Sequence, residues 1–315
     1  MLASRLHAWG KTIDIEEAAP PTQAPQGEIV VAMEAAAVTH LDLTLMSGTF
    51  SYRPALPFTP GTAGVGTVTA GQEALVGKRV LVRGAGIGLE RPGTWAEQIT
   101  VPVDAVRVVP QDADATLAAT CYSPMTTAWA AAEPVGQVKP GERVLVTGPS
   151  GGVGSMTVQM AARTGAHVIA LVRNEQEAGS VPEAAAEVLI GRDPESVERL
   201  GAHGGIDAVL DTVGGDTVPT LLPAIKPGGR IVMIGYVAGK TLTLDLPTLL
   251  AADVSLLPMN MVRRHVPDDV FHTLLTELSS GTLTLNTTTF AFIDLNRALE
   301  ARTGGSVSGT IAITM

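Results

Sequence analysis

Residues 144–172 read VLVTGPSGGVGSMTVQMAARTGAHVIALV, and their order decides the fold. Val144 to Thr147 is a short β-branched run of the kind that suits a strand buried on both faces. A glycine-rich turn follows, Gly148-Pro149-Ser150-Gly151-Gly152-Val153-Gly154. The helix-forming segment after it carries Met156, Val158, Met160 and Ala161 and stops at Thr164-Gly165. His167 to Val172 is a second buried-strand run. Strand, glycine turn, helix and strand within about 30 residues is the setting in which a helix N-terminus holds a dinucleotide's pyrophosphate.

Glycines let the backbone approach the phosphates and leave bare N–H groups at the helix start, where the dipole also favours an anion. Ser150, Gly151, Gly152, Val153 and Gly154 are therefore candidate cofactor-binding residues. The match to the fingerprint is incomplete, because Pro149 fills the slot of its first glycine. The alternative is a tight strand-to-helix turn that binds nothing.

The end of the second strand bears on which nucleotide is bound. An acid about 20 residues after the turn would hold a ribose 2′-hydroxyl, as in NAD binders. This chain has Arg173-Asn174 there. A guanidinium attracts a 2′-phosphate that a carboxylate would repel, so NADPH is the expected cofactor. The competing view makes Arg173 a solvated strand-end arginine.

The wider composition limits the possibilities. The chain has 315 residues, 45% of them hydrophobic, enough for two domains with a large core. A formal charge of −10 argues against a nucleic-acid partner. One cysteine, Cys121, excludes an internal disulfide and a thiolate zinc cluster within the chain. No apolar segment reaches the roughly 18 residues of a membrane span, and no apolar signal region opens the chain. These features predict a cytoplasmic protein with no membrane partner.

Residues 1–117 read as β-rich, with strand patterns at 28–34, 64–68, 78–82 and 95–99 among proline- and glycine-rich turns. Within them, Thr39 to Met46 predicts a short helix with Thr39 as N-cap and Asp42 as the acid of a capping box. From 118 to 262 strands and helices alternate. Further strands at 186–190, 206–210, 230–234 and 254–257 give six, a doubly wound parallel sheet. Ligand contacts should fall at the strands' carboxyl ends, which adds Arg192, Thr212, Val213, Gly235, Tyr236, Met259 and Asn260 to the candidate cofactor residues. Residues 263–315 hold a helix and strand-like pieces expected to return to the first domain. The last sheet strand, in the apolar run VSLLPMNM, is a bare edge that predicts a homodimer.

Across its length the chain resembles a zinc-free member of the medium-chain dehydrogenase/reductase superfamily, in the quinone oxidoreductase branch. The landmarks are GEIVVAMEAAAVTHLDLTLMSGTF, LPFTPGTAGVGTV, GKRV, GTWAEQ, SPMTTAW, VKPGERVLVTGPSGGVG, DTVGG, IKPGGRIVMIG and the closing GSVSGTIAIT. The resemblance implies a GroES-like β-rich domain built from both chain ends, a Rossmann domain between them, and a nicotinamide cofactor in the intervening cleft. Where zinc relatives carry Cys, His-Glu and Cys, this chain carries Thr39, Thr62-Ala63 and Ser123. His40 alone cannot assemble a site, so no metal is expected.

Without zinc nothing polarises an alcohol. The expected chemistry is hydride delivery from NADPH to a small-molecule acceptor, a quinone or an α,β-unsaturated carbonyl. Positions matching the family's cleft are Thr39, Asp42, Phe50, Tyr52, Met125 and Thr127. Thr39 replaces an asparagine common in relatives and either donates to a substrate carbonyl or simply caps its helix. Phe50 stands where several relatives carry a tyrosine proton donor, which leaves Tyr52, His40 or solvent to supply the proton. Met125, Met259 and Met261 either line an apolar site or fill the core. Two other functions stay open: a tailoring reductase or cyclase of secondary metabolism acting on a bulky substrate, and a non-catalytic NADPH-binding protein.

Overall fold

The computed structural model describes residues 1–50, 52–191, 194–202, 204–305 and 307–315. Two compact units divide the chain: residues 1–122 with 286–315, and residues 123–285. In chain order the first strands are β1 (Leu2–Arg5), β2 (Asp14–Glu17), β3 (Glu28–Ala37), β4 (Ala63–Ala70) and β5 (Arg79–Arg83). Next come β6 (Gln98–Pro102), β7 (Val106–Val108), β8 (Arg143–Thr147), β9 (His167–Val172) and β10 (Glu187–Ile190). The last are β11 (Ile206–Asp211), β12 (Ile225–Met233), β13 (Ser255–Pro258), β14 (Thr287–Ala291) and β15 (Thr310–Thr314).

The continuous unit is a six-stranded sheet in the order β10-β9-β8-β11-β12-β13, with every neighbouring pair parallel. Counted from β8 this is 3-2-1-4-5-6, the doubly wound Rossmann order expected from the alternation of strands and helices. Val144, Leu145 and Val146 of β8 are fully buried, as their unbroken apolar run requires. The helix Gly152–Arg163 buries Met156, Val158, Met160 and Ala161 on returning to β9.

The discontinuous unit is a mostly antiparallel sheet in which β3 pairs with β4, β6 and β15. Both chain ends build it, as the resemblance implied: β15 lies between β14 and β3. One core cluster gathers Leu6, Ile13, Val38 and Trp95 with Leu295, Leu299, Ile311 and Ile313. The strand expected at 95–99 is displaced to Gln98–Pro102: the backbone before it pairs with β1, the Ser4 N–H donating to the Trp95 carbonyl at 2.9 Å and the Glu97 N–H to the Leu2 carbonyl at 3.0 Å. The buried Trp95 indole N–H donates to the Ala37 carbonyl at 2.9 Å.

The boundaries differ from the expected 117/118 and 262/263. Residues 263–285 belong to the Rossmann unit. The helix Asp268–Ser279 buries Phe271, Leu274, Leu275 and Leu278, an amphipathic face that needs a core to cover. Gln159 then pins the following segment: its amide donates to the Thr284 carbonyl at 2.8 Å and accepts from the Thr284 N–H at 2.9 Å. Among the described residues no helix is long and apolar enough to cross a membrane.

Candidate active site

The candidate site residues fall into two groups, one in each unit. In the Rossmann unit, Gly148 has a left-handed φ of +61°, and a side chain there would meet the Thr212 hydroxyl at 2.8 Å. A Cβ on Gly154 would fall deep inside contact distance of the Gly148 carbonyl oxygen. Only glycine fits either place. Gly151 is the N-cap of the helix Gly152–Arg163, with no side-chain cap. The first intrahelical bond is from the Ser155 N–H to the Gly151 carbonyl, at 2.8 Å. The N–H groups of Gly152, Val153 and Gly154 therefore lie at an uncapped helix start, which is what an anion needs.

Beside this turn the carboxyl ends of β8 and β11 are locked together. The buried Asp211 carboxylate accepts from the Thr147 hydroxyl at 2.6 Å, the Val213 N–H at 3.1 Å and the Gly214 N–H at 3.0 Å. The Thr212 hydroxyl donates to the Thr147 carbonyl at 2.7 Å. The next loop joins on, with the Gly235 N–H donating to the Asp211 carbonyl at 3.2 Å and the Ala238 N–H to the Val213 carbonyl at 3.0 Å. Thr212, Val213, Gly235 and Tyr236 thus sit at one end of one sheet, and Met259 follows β13 at the same end, its N–H bonded to the Met233 carbonyl. Asp211 organises this end; it opens the DTVGG landmark at a strand's carboxyl end, and its role as the acceptor that ties the end together is what the sequence does not state.

Arg173 follows β9, and Asn174 caps the short helix Glu175–Ala178 through the Glu177 N–H at 3.0 Å. Arg173 is not solitary. Its backbone N–H and Nε donate to the two oxygens of Glu177 at 2.8 and 2.6 Å, and Nη2 pairs with the same carboxylate. Arg192 lies outside the described residues. Asn260 is exposed, and Met259 and Met261 are half-buried. Thr127 is buried, and Met125 is fully so: it fills the interior, the second of the two readings open to it, and presents no surface of its own to a substrate.

In the GroES-like unit the capping box forms. The Thr39 hydroxyl accepts from the Asp42 N–H at 3.3 Å, and Asp42 accepts from the Thr39 N–H at 2.8 Å. Asp42 is wholly buried, and its carboxylate also takes the Thr62 N–H at 3.0 Å and the Thr39 hydroxyl at 2.6 Å. Two expectations change here. The Thr39 proton is given to Asp42, so it is not offered to a substrate carbonyl; and Asp42, closed in by three donors, is a structural hub rather than a substrate contact. Burial pushes the Asp42 carboxyl above the ordinary carboxylate range, and the bonds from Thr39 and Thr62 only partly offset it.

His40 opens the helix His40–Met46 and keeps part of its surface exposed. Desolvation of the ring, with the Arg302 charge as a smaller cause, holds its pKa below the usual imidazole value. Both causes favour the neutral imidazole. Arg302, on the helix Leu295–Gly304, was not picked from sequence; it feels the Asp42 charge although some 260 residues separate the two. Tyr52 is half exposed and Phe50 half buried. Cys121 is buried, and its thiol is pushed up to about 12, an inert filler.

Comparison with known proteins agrees with the fold. The family described as Zinc-binding dehydrogenase matches residues 152–280, and the Alcohol dehydrogenase GroES-like domain matches residues 25–111. The chain belongs to the medium-chain dehydrogenase/reductase superfamily. It is 28% identical over 271 residues to an alcohol dehydrogenase of Moraxella sp. (strain TAE123), covering 76% of this chain and 78% of that one. Quinone oxidoreductase-like protein 2 of Mus musculus is 28% identical over 250 residues, covering 77% of this chain and 70% of that one. Among solved structures, the quinone oxidoreductase from Thermus thermophilus, determined also in complex with NADPH, superposes with a TM-score of 0.79 at 25% identity over all of both chains. Members of the superfamily are oxidoreductases that bind a nicotinamide cofactor.

Among the described residues one group of three ligating side chains can reach a common ion: Asp14 and Glu16 on β2, with His7 from the segment before it. None of its members occupies a zinc position of the superfamily.

Proposed function

We propose that this chain is an NADPH-dependent reductase of quinones or α,β-unsaturated carbonyls that works without zinc. One observation carries the cofactor reading: an uncapped helix start beside a glycine cradle, with an arginine ending the adjacent strand. Gly152, Val153 and Gly154 would hold the pyrophosphate by their N–H groups, with Ser150 and Gly151 completing the turn. Arg173 and Asn174 would meet the adenosine ribose and its 2′-phosphate. Thr127, Thr212, Val213, Gly235, Tyr236, Met259 and Asn260 are the remaining candidates for the cofactor. When bound, the nicotinamide supplies the hydride.

The zinc positions do not fit a metal. Ala63 has no donor atom, the Thr39 hydroxyl is bound to Asp42, and Thr62 and Ser123 offer only neutral hydroxyls. The chain's own residues therefore serve to bind, orient and supply a proton. Phe50 has none to give. Tyr52 is accessible, and His40, whose surroundings favour the neutral ring, is placed to relay a proton from solvent. Turnover with quinones, enals and enoyl thioesters should be visible as NADPH consumption, unchanged by a chelator. Tight NADPH binding with no consumption across the panel would favour the non-catalytic alternative, and chelator sensitivity would reinstate a metal.

We propose further that the protein is a homodimer joined along β13. This strand has β12 as its one partner among the described strands, and Val237, Leu246 and Leu250 expose apolar surface in the same unit. Light scattering at micromolar concentration should give twice the chain mass, and Leu250→Asp should lower it. A wild-type monomer would remove the proposal.

A further inference from the structure

The guanidinium on which NADPH preference depends already has a partner. Glu177 takes the Arg173 N–H, Nε and Nη2 into one carboxylate. The pairing is built by local structure: Asn174 caps the helix Glu175–Ala178 and thereby turns Glu177 back towards the end of β9. The two partners are unequally placed. The Arg173 side chain is 64% exposed, whereas that of Glu177 is only 15% exposed. Glu177 is the fixed member, and Arg173 keeps its outer edge open to solvent.

A 2′-phosphate approaching Arg173 would meet both charges. It gains the guanidinium but comes up against a carboxylate bound to the same cation. A ribose 2′-hydroxyl carries no charge and meets no such opposition. We propose that Glu177 is a specificity-determining residue that restrains the preference for NADPH over NADH. This rests on the reading that the Rossmann unit binds a nicotinamide dinucleotide with its adenosine ribose near Arg173.

Glu177→Gln keeps an acceptor for the Arg173 N–H while removing the charge. Calorimetric titration with NADPH and NADH should show the affinity ratio rising about tenfold in favour of NADPH, the size expected of one like-charge contact near the surface removed. The gain should shrink at high ionic strength. Arg173→Ala should instead bring the two affinities together. Glu175→Gln, which removes a neighbouring exposed charge not bound to Arg173, should move the ratio far less, and unchanged melting of each variant would show that the fold is kept. An unaltered ratio in Glu177→Gln, with Arg173→Ala collapsing it, overturns the role of Glu177 and leaves the cofactor reading intact. An equal rise in Glu175→Gln also overturns it. Failure of the wild type to bind either dinucleotide removes the cofactor reading itself.

Discussion

Replacing Gly154 by alanine should lower dinucleotide affinity by about two orders of magnitude or more. The added methyl would overlap the Gly148 carbonyl, with the Pro149 Cα behind it at 3.0 Å. Both are backbone, so neither can swing aside as a side chain would. The turn must open, and the N–H groups of Gly152, Val153 and Gly154 then lose their common focus. Charge-assisted bonds to phosphate contribute about 1.5–3 kcal/mol each, and losing two of them accounts for the effect. The strain itself costs about 1–3 kcal/mol of stability in this unit. Fluorescence titration with NADPH, alongside thermal melting, separates the two. Affinity near that of the wild type would show that the turn is only a connection between strand and helix.

Asp42→Ala should have the largest effect on the other unit. The carboxylate is the acceptor for two backbone N–H groups and one hydroxyl. Its loss leaves the Thr39 and Thr62 N–H groups without their partner and strips the helix His40–Met46 of half its capping box. Orphaned buried donors and a lost cap together should cost on the order of 3–5 kcal/mol. Denaturant unfolding should show the GroES-like unit melting early, while NADPH titration of the still-folded Rossmann unit changes little. Undiminished stability would mean that water replaces the carboxylate without penalty, and that the buried hub described for Asp42 is not one.

The two sites were legible to different degrees. The strand, glycine turn and helix at 144–163 could be read directly, because hydrophobic period and glycine spacing are local signals. The Thr39–Asp42 capping box was equally local. What Asp42 does beyond the cap was not: its contact with Thr62 depends on a loop twenty residues on, and its neighbour Arg302 comes from the far end of the chain. Glu177 was within reach, since Arg173 and Glu177 stand four apart at a helix start, a spacing that brings opposite charges together. The misplaced 263–285 boundary has a tertiary cause. An amphipathic helix announces that it will be covered, and says nothing about which core covers it. Met125 shows the same limit: a methionine in a family's cleft position and one in a packed interior look identical in sequence.

The position of β15 between β14 and β3 has a consequence for how the protein is made. A ribosome releases β3 early, yet the strand that closes this side of it, residues 310–314, comes after the entire Rossmann unit. The unit at 123–285 can reach its native state while still tethered, whereas its partner waits with an unpaired β3 margin. During that interval the nascent chain leaves the stretch Ala35–Ala37 of β3 without its partner, and a chain broken off before residue 310 keeps that stretch unpaired. Vectorial synthesis thus makes one half of the molecule safe early and leaves the other dependent on its final strand.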